Sequence, residues 1–312
     1  MMIVTRAPLR IPLGGGGTDF PSYYLKYGGY ILGFALNRYV HVVLHDTIDE
    51  RVRLKYSKTE DVDSIDKLEN RVAAEALKWY GVTKGVEVAT FSDVPESSGL
   101  GGSSAFCVAL VTALRQRLGL SLDKTEIFAS AYDIERNKAG QPGGIQDQYF
   151  ASYGGSWGLT LGQEVTALEV DVTGLLPRLK LVYTNTGRSD LRIATSQTKK
   201  TISSDKPMLD NLNSIKLLGM EIEELLLRGR YDEVGGMFHR HWVMKKHRES
   251  SISNPEVDRL YSLAGEKGAL GGKLLGLGGG GYLLLYSNCE LDGLTCLSVG
   301  LDKEGCKVVY QT

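Results

Sequence analysis

Pro95-Glu96-Ser97-Ser98-Gly99-Leu100-Gly101-Gly102-Ser103-Ser104-Ala105, followed at once by the apolar run Phe106 to Leu114, joins a glycine-rich turn to the start of a helix. Such a junction offers unpaired backbone N–H groups and the positive end of the helix dipole to an anion. The glycines let the backbone close on that anion, and the hydroxyls of Ser103 and Ser104 can meet a phosphate oxygen or Mg²⁺. The stretch therefore reads as a cradle for the phosphates of ATP, with Pro95, Ser98, Gly99, Leu100, Gly101, Gly102, Ser103 and Ser104 as its contacts.

Working outward from this loop, 312 residues suit two domains better than one core. The 36 basic residues against 37 acidic ones leave a net charge of -1, which makes no electrostatic case for nucleic acid and points to a small substrate. Cys107, Cys289, Cys296 and Cys306 form no CxxC pair and read as reduced thiols of a cytoplasmic protein. The start of the chain has no apolar h-region, and no apolar run reaches membrane length. Glycine is abundant, at 38 residues, and clusters at Gly14 to Gly17, Gly99 to Gly102 and Gly276 to Gly281. Clusters that lead into apolar elements are turns of a scaffold rather than linkers.

Strand-rich segments at Ile3 to Leu13, Tyr30 to Asp46, Arg51 to Tyr56 and Gly85 to Phe91 surround a helix at Arg71 to Tyr80. Helices follow at Ser103 to Leu118 and Asp123 to Asn137, then strands at Leu159 to Val172 and Leu179 to Thr184. After the polar segment Thr195 to Lys206, Pro207 starts a long helix, with further helices at Tyr231 to Lys246 and Pro255 to Lys267. Strands at Tyr282 to Tyr286 and Lys307 to Tyr310 close the chain. The order predicts an α+β protein with domains at 1–170 and 171–312. GxxxxGK[ST] is absent, which excludes a P-loop. Gly276-Leu277-Gly278-Gly279-Gly280-Gly281 matches a dinucleotide fingerprint by letter, but it runs into the short apolar strand Tyr282 to Tyr286 instead of opening a helix.

Three ordered segments carry a resemblance. Pro8-Leu9-Arg10-Ile11-Pro12-Leu13-Gly14-Gly15-Gly16-Gly17-Thr18-Asp19, the Pro95 to Ala105 loop, and Leu274 to Gly281 look like the three motifs of the GHMP small-molecule kinases. The match spans nearly the whole chain. Within that superfamily the quadruple glycine before Thr18-Asp19, the GLGGSS loop and Gly143-Gly144-Ile145-Gln146-Asp147-Gln148-Tyr149 most resemble the heptose 7-phosphate kinase branch, with the fucokinase branch next. The resemblance implies an N-terminal domain like ribosomal protein S5 domain 2, a ferredoxin-like C-terminal domain, and ATP and a sugar between them. It also implies transfer of phosphate to the C1 hydroxyl of a heptose 7-phosphate. A kinase for a free sugar, or a silent sugar sensor on the same fold, are the alternatives.

By the same resemblance Glu135 is the Mg²⁺ carboxylate, and Asp147 faces the sugar hydroxyl as base or orienting acceptor. Arg10 approaches Asp147, where a fixed cation would hold the carboxylate and offset charge on the transferring group. Asp19, with Gly17, Thr18 and Gly144, would grip the sugar, while Gly278 and Gly279 would join the nucleotide site. The loop carries one glycine more than the common GLGSSA form, and counting back from Ala105 puts Ser104 on the metal and Ser103 on phosphate. Read without the motifs, Glu135 is an ordinary charged helix end, Asp147 a helix N-cap, Arg10 a surface strand residue and Asp19 a turn residue. A sugar phosphate would need its own cations. Arg188, Arg192, Lys245 and Lys246 are the candidates, against a reading as solvated charge or dipole complement. His239, His241 and His247 lack metal-ligand spacing and read as surface residues.

Overall fold

β1 (Met2–Gly14) and β2 (Gly29–Asp46) form a long antiparallel pair, from Met2 opposite His45 to Gly14 opposite Leu32. The register shifts after Pro8 and after Pro12, where proline has no N–H to give the ladder. The computed structural model describes residues 1–186 and 191–312. Its remaining strands are β3 (Val52–Lys55), β4 (Thr59–Val62), β5 (Val86–Ser92), β6 (Ser156–Leu161), β7 (Val165–Glu169), β8 (Leu179–Tyr183), β9 (Gly271–Leu274), β10 (Tyr282–Tyr286), β11 (Cys296–Ser298) and β12 (Lys307–Gln311). The first sheet runs β12-β1-β2-β5-β3-β4, with β6 on β2 and β7 on β6, and the second runs β11-β8-β10-β9. Within the second unit that is the fourth strand, then the first, third and second, the order of a ferredoxin-like sheet. A loop rather than a helix joins β10 to β11.

The helices are α1 (Pro21–Tyr27), α2 (Arg71–Trp79), α3 (Gly102–Arg117), α4 (Lys124–Tyr132), α5 (Gln146–Tyr153), α6 (Leu191–Ile202), α7 (Lys206–Leu227), α8 (Tyr231–Lys246) and α9 (Pro255–Glu266). α3 is apolar on every side and buried along nearly its whole length, which fixes its N-terminus inside the molecule. α7 packs on β1 and β2 so closely that a Cβ on Gly14 would lie 2.5 Å from the Cα of Gly219. One core runs through both sheets, taking in Leu9 and Val108 as well as Leu181, Phe238 and Tyr286.

Several differences from the sequence reading have local causes. The strand expected over Leu159 to Val172 is a hairpin of β6 and β7, turned where the Gly162 N–H reaches the Glu164 carbonyl. The polar stretch before Pro207 is largely α6, whose apolar positions Ile193 and Ala194 face inward. The helix expected to end at Asn137 leaves α geometry after Tyr132 and continues as one π turn over Asp133–Lys138. β12 returns to pair with β1, so the end of the chain belongs to the first sheet although it follows the second. Among the described residues no helix is long and apolar enough to cross a membrane.

Candidate active site

A cavity of about 880 Å³ lies between the two units, walled by β1, the Pro95 to Ala105 loop, α5, α8 and β9. The loop reaches it because two glycine-rich turns interlock. A Cβ on Gly276 would sit 2.6 Å from the Cα of Gly99, and both glycines hold positive φ, at 71° and 78°. The Ser98 carbonyl accepts from the Tyr282 N–H at 3.0 Å, which pins the loop to β10. Gly101 then caps α3 with φ 82°, so the first amides of α3 open on the cavity.

Arg10 meets this cap from β1. Its backbone N–H donates to the Leu100 carbonyl at 3.0 Å and its guanidinium to the Gly99 carbonyl at 2.6 Å. The other edge of the guanidinium makes a bidentate pair with Asp147, Nε to Oδ1 at 2.8 Å and Nη2 to Oδ2 at 3.0 Å. Asp147 stands in the first turn of α5, N-capped by Ile145, and its side chain is 20% exposed, towards the cavity. A Cβ on Gly101 would be 3.3 Å from Arg10 Cγ and 3.5 Å from Asp147 Cγ. Cradle, cation and carboxylate are therefore in contact.

Glu135 occupies the π turn, a local widening that recurs at functional sites. It is 1% exposed and accepts from the Ser103 hydroxyl at 2.8 Å and from the Gln148 amide at 2.6 Å, with Arg136 at 3.5 Å. The sequence reading put Ser104 on the metal; in the structure Ser103, not Ser104, is the serine that meets Glu135. Ser104 is buried and accepts from the Arg136 guanidinium at 3.2 Å, which disfavours a second cation beside it. Among the described residues no three His, Cys, Asp or Glu side chains gather to cage a metal. One carboxylate with a hydroxyl is nevertheless the hard-oxygen set that Mg²⁺ completes with phosphate oxygens and water.

Asp19 is buried beside Gln146, which donates to it from its backbone at 3.3 Å and its side chain at 3.0 Å. Burial, with the Asp147 charge adding, raises its pKa above the ordinary carboxylate value. Gly17 and Gly144 line the same end of the cavity, and Gly144 packs directly on Asp19. Thr18 does not line it: its hydroxyl lies 2.8 Å from the carbonyls of Gly15 and Tyr30 and accepts from the Tyr30 N–H at 3.0 Å. Thr18→Val is accordingly expected to lower stability by about 1–3 kcal/mol, read from urea unfolding, while the KM for acceptor stays within a factor of about 3. A large KM change at unaltered stability would restore Thr18 to the substrate.

Leu100, Gly278 and Gly279 also stand off the cavity wall. Leu100 is fully buried, and the other two brace the third glycine cluster from behind, Gly279 by donating to the Ile252 carbonyl at 3.0 Å. Pro95, Ser98, Gly99, Gly101, Gly102, Ser103 and Ser104 line the cavity. Arg188 lies outside the described residues, and Arg192 is the second residue of α6. Lys245 is buried and reaches the carbonyls of Leu274 and Gly276 at 2.8 and 2.6 Å, whereas Lys246 is exposed beside Asp258.

The sequence reading missed other lining residues. Val72, Val94 and Phe106 form an apolar end beyond Pro95, contributed by α2, the loop and α3. Lys273 is 2% exposed on β9, and burial followed by the nearby Arg248 and Arg10 charges brings its pKa down to about 7. Arg248 follows α8 and donates to the Gly16 carbonyl at 2.8 Å; burial takes it down to about 10. His241 was expected at the surface; it is 3% exposed and lines the cavity. A lysine just before a glycine cluster was the one legible sign of this group; nothing local marks Arg248.

The model of the GHMP kinases N terminal domain matches residues 67–155 and that of the GHMP kinases C terminal domain matches residues 222–287. A D-glycero-alpha-D-manno-heptose 7-phosphate kinase from Campylobacter jejuni is 32% identical over 306 residues, covering 91% of this chain and 89% of that protein. An L-fucokinase/L-fucose-1-P guanylyltransferase from Bacteroides fragilis is 29% identical over 90% of this chain but only 34% of its own length. The crystal structure of a D-glycero-D-manno-heptose 1-phosphate kinase from Bacteroides thetaiotaomicron covers both chains fully with a TM-score of 0.77 at 23% identity, which speaks for the fold. The chain belongs to the GHMP kinases. It is an ATP-dependent sugar kinase, with the two-domain α+β fold of that family.

Proposed function

We propose that this kinase transfers the γ-phosphoryl group of ATP to the anomeric C1 hydroxyl of D-glycero-D-manno-heptose 7-phosphate, giving the 1,7-bisphosphate and ADP. The observation that carries the reading is the three-way contact of Gly101, Arg10 and Asp147, which puts an acceptor carboxylate against the end of a phosphate cradle. In this assignment the base lies against Val72, Val94 and Phe106, and the phosphates lie on the amides from Gly99 to Ser103. The sugar sits between Asp19, Gly17 and Gly144. Asp147 Oδ holds the C1 hydroxyl and takes its proton as the C1 oxygen bonds to phosphorus and the bond from phosphorus to the β-phosphate bridging oxygen breaks. Arg10 keeps the carboxylate aimed and offsets charge on the transferring group. Ser103 and Glu135 would hold Mg²⁺, which supplies charge neutralisation across the phosphates.

The choice of acceptor is supported by the Campylobacter relative's activity and by the cations around the sugar end. ADP release with Mg-ATP and a panel of heptose 7-phosphate, mannose, fucose and galactose tests it. Turnover confined to the phosphorylated heptose is expected. Turnover of fucose or galactose, with heptose 7-phosphate ignored, would move the enzyme to the free-sugar branch represented by the Bacteroides fucokinase relative.

A further inference from the structure

We propose that Arg248, Lys273 and His241, together with Lys245, form a subsite for a dianionic group carried by the acceptor, so that the enzyme selects a phosphorylated sugar over its free counterpart. The inference rests on the acceptor reading above and assigns the residues that enforce it. Four polar groups line one wall of the cavity, and three are basic side chains. Among the described residues none of Lys245, Arg248 and Lys273 has a carboxylate at ion-pair distance. Instead, neutral oxygens hold them: Leu13 for Lys273, Leu274 and Gly276 for Lys245, and Gly16, Asn211 and Gln197 for Arg248. Lys273 spends one donor and Arg248 three of its five, so donors remain for a ligand on both.

His241 adds an independent sign. Both of its ring nitrogens lack a hydrogen-bond partner among the described residues, although the side chain is buried. A buried polar group left unpaired costs more than an ordinary hydrogen bond gains, and a ligand oxygen would relieve it. Burial, and then the charges of Lys273, Arg248 and Lys245, hold the imidazole pKa well below its usual value, so it meets that oxygen as a neutral N–H donor.

Arg248 marks the sugar end of this group, while Lys245 and Lys273 reach back far enough to feel the Arg10 charge. Arg248 donates to Gly16 and shares Gln197 with the Gly17 carbonyl, which places it beside Asp19 at the sugar end. The nucleotide phosphates already have the loop amides and the α3 dipole, and the cation at the transfer point, Arg10, is matched by Asp147. The carboxylates that face the cluster are Asp19, beside Arg248, and Glu249, which is engaged by Lys200 and Ser196. Burial and then the neighbouring arginine charges lower the pKa of Lys245 and of Lys273, the latter to about 7, and a phosphate dianion on the acceptor would hold the three basic groups in their charged forms.

The test compares kcat/KM for heptose 7-phosphate with that for D-glycero-D-manno-heptose in the wild type, Arg248→Met and Lys273→Met. The ratio is expected to fall about 10- to 100-fold in each variant, with the KM for ATP unchanged. Equal losses on both acceptors, or a rise confined to the KM for ATP, would overturn the subsite. Should the variants not fold, inhibition of the wild type by inorganic phosphate decides: competition against heptose 7-phosphate supports it, and competition against ATP alone, or none, overturns it. Wild-type turnover limited to free sugars would instead overturn the acceptor reading itself.

Discussion

Asp147→Asn is expected to lower kcat by about 10²- to 10⁴-fold, the range associated with loss of a positioned general base. Asparagine keeps the shape of the side chain and one oxygen, but its amide nitrogen must then face either Arg10 Nε or Arg10 Nη2, and both are donors that need an oxygen there. In the proposed arrangement ATP lies along the loop amides rather than on Asp147, so its affinity, measured by titration without acceptor, should change by less than about 3-fold. Turnover like that of the wild type would remove Asp147 from the mechanism and leave the Arg10 pair a structural clamp.

A loss of similar size is expected at Glu135. Its two oxygens accept from Ser103 and Gln148 in a site with almost no solvent, so Glu135→Gln removes the charge and sets an N–H against one of those donors. We expect kcat to fall about 10²- to 10³-fold, and the Mg²⁺ concentration for half-maximal rate to rise about tenfold or more. The serine pair sharpens the test. Ser103→Ala should shift the Mg²⁺ requirement in the same direction, whereas Ser104→Ala, facing Arg136, should leave it within about 3-fold of wild type. If Ser104→Ala carried the shift instead, the metal would belong with Arg136's partner and the assignment from geometry would be wrong.

What could be read from the sequence was what local chemistry specifies. The Gly99 to Gly102 cluster before an apolar run identified the cradle because positive-φ turns need glycine and a helix N-terminus leaves its amides free. Tyr231 to Lys246 and Tyr282 to Tyr286 were bounded to the residue, since periodicity and flanking turns act over a few positions. α5 and β9 were not foreseen. α5 has little amphipathic pattern, and β9 is only Gly271–Leu274, buried at every position because both its faces are covered. Both bring functional side chains, Asp147 and Lys273, to the cavity.

Within the glycine motifs, letters alone did not separate contact from support. Thr18, Leu100, Gly278 and Gly279 belong to the same runs as Gly17, Gly99 and Gly101, yet they turn to backbone partners or the core. Neighbouring residues in a tight turn point in opposite directions, and which direction meets the ligand depends on the second turn packed against the first. The choice of Ser103 over Ser104 has the same origin, in the π turn that swings Glu135 and Arg136 to different hydroxyls.

The sequence by itself determined the glycine-rich turn at the start of α3, the α+β class and the family, because turns and periodic segments are set by backbone geometry over a dozen residues or fewer; Glu135, Asp147, Arg10 and Asp19 were reached through the resemblance. Only the tertiary structure decided that Arg248, Lys273 and His241 share one wall with Lys245, and that the apolar end of the cavity lies between Val72, Val94 and Phe106. Those residues come from elements far apart along the chain, and their meeting is a product of how α7, α8 and β9 pack on β1, where side-chain volume and close backbone contacts such as Gly14 on Gly219 leave one arrangement.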